Sequence, residues 1–461
     1  MGGAKGAGEG NAALAALVNE AGCSHAALAR KVNQLGLAQG DVTRYDKASV
    51  TRWLQGMTPK GRSPQYIAEA KSGFLGRPVT PADLGFAEQA QRPVVARALT
   101  YREDVGETLH TLAELGSTDI SRRSLLGAVP FVASALMDPQ RRWLLWLLED
   151  EHAPRLAAVA GGGPVDQVEA MIEMFDLMDN RFGGGGVRAS IVHYLSTQLT
   201  PMLQQRTVPP QQRRLLCTYA AKLAAMAGWC SYDTADYGLA ERYMIQALRL
   251  CAEGGDRVLG GQILAGMSHL ATSLGNPSEG VALARAGVAT AQRAGSPLGL
   301  MRLHAMAARG YAVLGDSQQA TSSLVAAGEA LDASRGPDEE SPWVHFLDHH
   351  YLEAEAALVH RDLDEAAQAE QLAAASVDAN WDRRRQAISR SVLATSYLQQ
   401  RRLDEAVDTA STALELLAGV HSERSVQALR DFRARLAPYR NEPIVREFER
   451  KARPILGASV A

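Results

Sequence analysis

Between residues 211 and 418 small residues return at fixed intervals along an alanine- and leucine-rich chain. Ala240, Gly280, Ala320, Ala366 and Ala406 lie 40, 40, 46 and 40 residues apart. Seven residues after each stands another small one: Ala247, Gly287, Ala327, Ala373 and Ala413. Twelve residues before each stands a third: Gly228, Ser268, Ala308, Ala354 and Ala394. Turn material separates the first two members of each later triple, as GNP at 275–277, GD at 315–316, RDLDEA at 361–366 and RRLDEA at 401–406. Two antiparallel helices approach closely only where the facing side chains are small, so each triple predicts one helical hairpin stacked on the next. Long period-two runs of β-branched residues are absent, which makes the expected class all-α.

The triples resemble the small-residue positions of tetratricopeptide (TPR) repeats, in which the first helix carries one and the second carries two. The interval exceeds the usual 34 residues of such repeats, so loops or helix ends about six residues longer are expected. The resemblance implies a TPR-like α-solenoid over 211–418, with the first helix of each pair on a concave groove. Counted from the ladder, the groove positions are Lys222, Trp229 and Tyr232, then Gln262, His269 and Thr272, then Arg302 and Arg309. The fourth repeat contributes Asp348, Tyr351 and Glu355, and the fifth Ser391, Thr395 and Gln399. Cations stand at the centre and acids to one side. Arg302 and Arg309, with Lys222 and His269 nearby, form a candidate clamp for a carboxylate or an acidic segment.

Residues 11–86 read differently. Asn11–Ala21 is a short helix, and Ser24 caps a second, SHAALARKVNQL, with Leu28, Ala29 and Val32 on one face. Asp46 caps a third, KASVTRWLQ, which places Val50, Trp53 and Leu54 on one face and Lys47, Ala48, Thr51 and Arg52 on the other. A fourth opens at Ser63-Pro64 with Ile67, Ala70 and Phe74 inward, and Thr80-Pro81-Ala82-Asp83 is a start signature for a fifth. Trp53 is expected in the core.

LARKV at 28–32, SVTRWLQG at 49–56 and the helix from Pro64 to Leu75 resemble the lambda-repressor-like helix-turn-helix domain. The segment GLAQGDVTRYD at 36–46 departs from that family by roughly ten extra residues between its second and third helices. The resemblance implies a third helix in the DNA major groove, with Lys47 and Arg52 on guanine edges and Ala48, Ser49 and Thr51 on methyls or lesser hydrogen bonds. Ser24, His25, Arg44, Lys60 and Arg62 are the expected phosphate contacts, with Tyr45 beside Arg44 in the inserted loop.

The remaining segments carry weaker signals. Residues 1–10 read as a flexible tail and 87–160 as a helical connector, in which a charged linker precedes QRRWLLWLLEDE after Asp138-Pro139. That helix is too apolar for water and needs either a homodimer seam or the solenoid. SRRSLLGAVPFVASALM at 121–137 looks like a twin-arginine export signal at Arg122 and Arg123, but follows a folded domain and reads as a buried connector helix. Residues 161–210 suggest a degenerate hairpin around GGGG at 183–186. No GK[ST] follows those glycines, so they do not make a nucleotide loop. Two arginine-rich helices in 419–461 are expected to cap the solenoid.

Composition narrows the function. Between Ser24 and Arg77 nine Lys and Arg face three acids, a surplus of six, which leaves −9 for the rest of a chain of net charge −3. A basic head on an acidic body points to a polyanion partner for the head alone. Cys23, Cys217, Cys230 and Cys251 form no CxxC pair and read as reduced thiols of a cytoplasmic, nucleoid-associated protein. No apolar run reaches a membrane span. His345, His349 and Glu353 recur at i, i+4, i+8 without the HExxH order, and no catalytic constellation stands out; no enzyme activity, metal or cofactor is expected.

Together, the two resemblances imply a one-component transcriptional regulator of actinomycete type, laid out like the peptide-sensing helix-turn-helix–TPR regulators. The expected partners are double-stranded DNA, a second copy of the chain, and a peptide, small-molecule or protein effector in the groove. The alternative is a TPR adaptor whose head does not read DNA.

Overall fold

The computed structural model describes residues 11–38, 43–57, 59, 63–81, 83–85, 93–121, 129–149, 163–205, 208–336, 339–378, 383–417 and 422–457. Among them every regular element is helical and none is a strand.

The head holds α1 (Ala12–Glu20), α2 (His25–Ala38), α3 (Lys47–Leu54) and α4 (Ser63–Leu75). Local chemistry sets each start. The Asn11 side chain caps α1 and also donates to Leu84 O at 2.7 Å, which ties the end of the domain to its beginning. Ser24 Oγ accepts from Ala27 N, and Asp46 with Ser49 makes a capping box on α3. Leu14, Leu28, Val32, Val50, Trp53, Ile67 and Leu84 form the core. Phe74, expected inward, is 40% exposed. The fifth helix does not form in the described residues: Thr80 and Asp83 hydrogen-bond each other, but the chain only turns at 81 and 83–85.

Beyond the head come α5 (Pro93–Arg97), α6 (Val105–Ser121), a 3-10 turn at Ala133–Leu136 and α7 (Met137–Glu149). Then follow α8 (Pro164–Phe182), α9 (Gly184–Tyr194), a π turn at Leu195–Leu199 and α10 (Thr200–Gln204). Arg122 and Arg123 lie outside the described residues, and 129–132 are not helical. The glycines of 183–186 are a packing device. Gly184 already belongs to α9, and a Cβ there would come within 2.6 Å of Cys230 Cα.

The body is five hairpins: α11 (Pro210–Asp233) with α12 (Tyr237–Gly254), α13 (Arg257–Ser273) with α14 (Pro277–Ala294), and α15 (Pro297–Leu314) with α16 (Ser317–Asp332). The fourth pairs α17 (His349–Asp362) with α18 (Ala366–Asp378), and the fifth α19 (Arg383–Gln399) with α20 (Leu403–Leu416). The C-terminal helices are α21 (Glu423–Arg435) and α22 (Pro443–Leu456). Successive helices pack as neighbours, giving an all-α, solenoid-like fold. The ladder marks the tight contacts. A Cβ on Gly287 would lie 2.1 Å from Leu303 Cδ2, and Ser268 Oγ donates to Gly280 O across the second hairpin.

The fourth rung is displaced by three residues. Each hairpin turns through one left-handed residue: Ala235, Gly275, Gly315, Asp364 and Arg401. The matching backbone bond joins Asp236 to Ser231, Asn276 to Ala271, Asp316 to Tyr311, Glu365 to His360 and Arg402 to Tyr397. In RRLDEA the left-handed residue is the first of the six; in RDLDEA it is the fourth. Ala357, Ala369 and Ser376 therefore take the ladder positions of the fourth hairpin and are buried, while Ala354 and Ala366 are only half-buried; Ala373 is buried as expected.

The segment read as a linker is part of the body. Val94, Val95, Leu99, Leu109, Leu112 and Phe131 share the largest core with α11 and α12. A polar row on α12 fastens it. Glu241 accepts from Val132 N, Arg242 donates to Val95 O and Pro130 O, Gln246 to Ala98 O and Thr100 O, and Arg249 to Arg102 O. α7 packs on the body: Trp143 is fully buried and its Nε1 donates to Thr290 Oγ1 at 2.9 Å, while Leu145 and Leu148 stay exposed.

Ala235 occupies a left-handed turn that favours glycine. Ala235→Gly should raise the unfolding free energy by ~1 kcal/mol and Gly275→Ala should lower it by a similar amount, read from denaturant midpoints. Equal midpoints for both variants and wild type would refute the turn assignment.

Candidate functional site

Two surfaces are candidates. On the head, the outer side of α3 presents Lys47, Ala48 and Arg52, all exposed, and among the described residues α3 packs mainly on α1 and α2. Thr51 is half-buried, with its hydroxyl donating to Lys47 O at 3.0 Å. Ser49 is not available to a base. It is 5% exposed, its amide and hydroxyl both donate to Asp46 Oδ1 at 2.8 Å, and Arg52 Nη2 donates to its oxygen at 3.2 Å.

Ser24 is exposed and His25 half-buried at the start of α2, and Arg44 is exposed near the end of the inserted loop. Lys60 and Arg62 lie outside the described residues. Tyr45, placed beside Arg44 as a phosphate contact, turns inward instead. Asn33 brackets its backbone at 2.8 Å on both sides, its hydroxyl lies 2.5 Å from Ser63 Oγ, and its ring meets Trp53 edge-on at 4.9 Å. The basic surface is also smaller than the residue count suggested. Lys71 is fully buried, with its Nζ donating to Leu17 O and Cys23 Sγ, and Arg77 pairs with Glu20 at 2.8 Å.

The second surface is a cavity of about 1880 Å³ on the concave side of the solenoid. Ten of the fourteen expected groove residues line it: Lys222, Trp229, Tyr232, Gln262, His269, Thr272, Arg302, Arg309, Tyr351 and Glu355. Asp348 does not. It is exposed and caps α17 by accepting from Tyr351 N at 2.8 Å. The three-residue slip explains the miss, because counting from Ala357 yields Tyr351, Leu358 and Arg361, and all three face the cavity. Ser391 and Thr395 are buried and bond to their own helix carbonyls, and Gln399 donates to Arg361 O and Asp364.

The geometry separates the expected two-arginine clamp into unlike halves. Arg309 Nη1 donates to His269 Nδ1 at 3.1 Å and to Glu355 at 3.2 Å, so its charge is met within the protein. Lys222 likewise meets Asp176 at 3.0 Å. His269 is held neutral: burial, then the charges of Arg309, Arg424 and Arg302, push its pKa well below the usual histidine value. Trp229 and Tyr232 each approach its ring at 5.5 Å.

The cavity closes on its far side through Asp233, the last residue of α11. Its carboxylate is 2% exposed, accepts from Arg384 at 2.7 Å and from Ser422 Oγ at 3.2 Å, and is gripped by Arg424. Burial alone would raise this carboxyl, but Arg424 and Arg384 outweigh it and hold the pKa below the usual range. Arg384 also lies 3.7 Å from Asp179, whose carboxyl burial pushes upward. The arginine-rich face of α21, expected outward on a cap, thus turns into the cavity, where Arg424 lies over Trp229 at 5.2 Å.

The sequence reading missed Arg384, Arg424, Asp233, Trp343, Phe346 and Leu37, which also line or close this space. One signal for two of them was present. The longest interval in the ladder falls between the third and fourth rungs, and the inserted residues carry the 3-10 turn Pro342–Val344 that brings Trp343 and Phe346 in. Among the described residues no group of three His, Cys, Asp or Glu is placed to hold a metal, and His345 precedes α17 rather than sharing its face with His349 and Glu353. Among the described residues no helix is long and apolar enough to cross a membrane.

Residues 14–87 match the family described as the SP15 N-terminal domain, which spans α1–α4 and the turn after them. No curated protein matches the chain.

Removing the Asp233 carboxylate leaves two buried guanidinium groups without their shared partner. Asp233→Ala should cost ~3–5 kcal/mol of unfolding free energy and enlarge the radius of gyration in solution scattering. An unchanged midpoint together with an unchanged radius would exclude this closure. His269 supplies a pH test. The unfolded ring takes a proton near its usual value of 6.5 while the folded ring stays neutral, so stability is full above 6.5 and falls as pH drops through it. Between pH 7.5 and 5.5 the wild type should lose on the order of 1 kcal/mol more than His269→Gln. Parallel profiles for the two proteins would contradict the neutral assignment.

Proposed function

We propose that the chain is a DNA-binding transcriptional regulator whose body takes an effector in the concave cavity. The observation that carries the reading is the outward face of α3. Lys47, Ala48 and Arg52 are exposed there, while Val50 and Trp53 of the same helix hold the domain core. A helix presented in this way offers long donors at the spacing that base edges in a major groove require, and Ser24, His25 and Arg44 stand near enough to serve backbone phosphates. Binding by a second copy of the chain to a two-fold site follows the habit of such domains.

The cavity suits the effector role. Its volume is about twice the upper end of an ordinary small-ligand pocket, which leaves room for a peptide or an extended molecule. Leu37, near the end of α2, lines the same cavity, and α4 touches the 3-10 turn at Ala133–Leu136. An occupant therefore touches the head directly, and this contact is the place where differential binding to two head positions would arise. The inward turn of α21 narrows the trough and weighs against a scaffold for folded partners, the role of an adaptor.

The test is genome-wide binding of the tagged protein, followed by titration of the purified chain on recovered sites at two salt concentrations. Discrete sites with a two-fold motif are expected, and Lys47→Ala and Arg52→Ala should each cost ~1–3 kcal/mol at those sites. Ser49→Ala should weaken the α3 cap by roughly 0.5–2 kcal/mol without altering base preference. Diffuse binding that neither α3 variant affects would overturn the reading in favour of an adaptor.

A further inference from the structure

The cavity wall is a ledger of charges, and one cation stands out. Among the described lining residues ten Lys and Arg face eight Asp and Glu. The deeply placed cations are met by carboxylates: Arg309 by Glu355, Arg384 and Arg424 by Asp233, Arg433 by Glu449. Arg302 is different. It is 7% exposed, its guanidinium donates to the neutral Gln262 Oε1 near the Tyr351 hydroxyl, and no carboxylate lies within ion-pair distance of it among the described residues. Its other neighbours are aromatic faces, Trp229 at 5.8 Å and Phe346 at 5.3 Å. Ring faces favour a cation but supply no counter-charge. A guanidinium kept out of water without an anion is costly, and a protein that tolerates it at a cavity wall gains by supplying it to a ligand.

We propose that Arg302, framed by Gln262, Tyr351, Trp229 and Phe346, is an anion subsite for a single carboxylate carried on an apolar or aromatic body. One unmatched positive charge calls for a monoanion rather than a phosphate dianion, the planar fork of arginine matches a carboxylate, and the flanking rings cover the apolar remainder. This rests on the reading of the cavity as a ligand site and specifies what that site takes. The carboxylate comes either from a free organic acid or from the C-terminus of a peptide; the chemistry at Arg302 is the same.

The experiment is calorimetric titration of the full-length chain with matched probes: 3-phenylpropanoate against its primary amide, and a phenylalanine-terminated tripeptide with a free against an amidated C-terminus. At least one acid should bind about tenfold or more tighter than its amide, and which pair responds identifies the source. Arg302→Gln should bring the acid down to the amide, Arg302→Lys should give an intermediate affinity, and Arg309→Gln should not abolish the preference, because that charge already belongs to Glu355. A ligand-free readout accompanies these. Arg302→Gln should leave the apo protein as stable as wild type or raise its Tm, whereas Arg309→Gln should lower it. Acids and amides that bind alike, no binding by either pair, or a preference that survives Arg302→Gln would each overturn the proposal. If the acids bind through Arg302 but leave operator affinity untouched, the subsite stands and the regulatory reading of the cavity fails.

Discussion

One buried carboxylate governs how the solenoid is put together. Asp233 ends α11, where the partial negative charge of the helix terminus and the loss of water both oppose an ionised acid. It stays charged because Arg384, Ser422 and Arg424 converge on it from α19 and the start of α21, as many as 191 residues further along the chain. The first hairpin is therefore completed by the last part of the body. A stack of hairpins has no inherent reason to bring its ends together, since each contacts only its neighbours. Here the electrostatic demand of Asp233 curls the array until α21 faces α11, and an open trough becomes a cavity.

The outer side of the first hairpin obeys the same rule with backbone partners in place of side chains. Glu241, Arg242 and Gln246 are each almost completely buried, which a solvent-facing helix would not permit. Arg242 and the Gln246 amide nitrogen donate to main-chain carbonyls between Val95 and Pro130, and Glu241 Oε2 accepts from Val132 N, so the connector supplies partners that α12 lacks. Buried polar groups of this kind specify one arrangement, because any shift leaves a donor or acceptor unmet. The described parts of the connector, 93–121 and 129–149, are consequently a fixed mount on the body.

What was legible in the sequence were features that are local in cause. The helical class, the five hairpins, the caps at Ser24 and Asp46, and the row of first-helix residues on the cavity wall follow from spacing and capping chemistry, which act over a few residues. The fourth repeat shows the limit. RDLDEA and RRLDEA look alike, yet the left-handed turn residue is Asp364 in one and Arg401 in the other, and neither is a glycine that would mark its place as Gly275 and Gly315 do. Aligning them shifted one rung by three residues and put Asp348 in the cavity instead of at a helix cap. Ser49 was misplaced because one short helix asks the same residue to face outward and to close a capping box, and the box wins. The role of α21 was hidden for another reason. Its arginines have the look of a solvated face, and only a partner far away in sequence reveals that they turn inward.

Charge placement connects the two candidate surfaces. The chain carries a formal −9 outside the Ser24–Arg77 stretch, yet the body gathers ten cations on the wall of its cavity. Left on the surface, that many Lys and Arg would attract any polyanion and blur the distinction between head and body. Inside, the deeper ones are bound to carboxylates that exist for structural reasons, and the acidic exterior discourages phosphate from approaching anywhere but the head. Arg302 is the exception that this arrangement isolates. Because its neighbours are already neutralised, the field at its guanidinium is set by one unmatched charge, and an anion arriving there changes the electrostatics of the cavity without altering the surface offered to DNA. On the proposed reading, ligand and operator would then be coupled through the contacts of Leu37 and α4, by packing rather than by competition for the same positive charge.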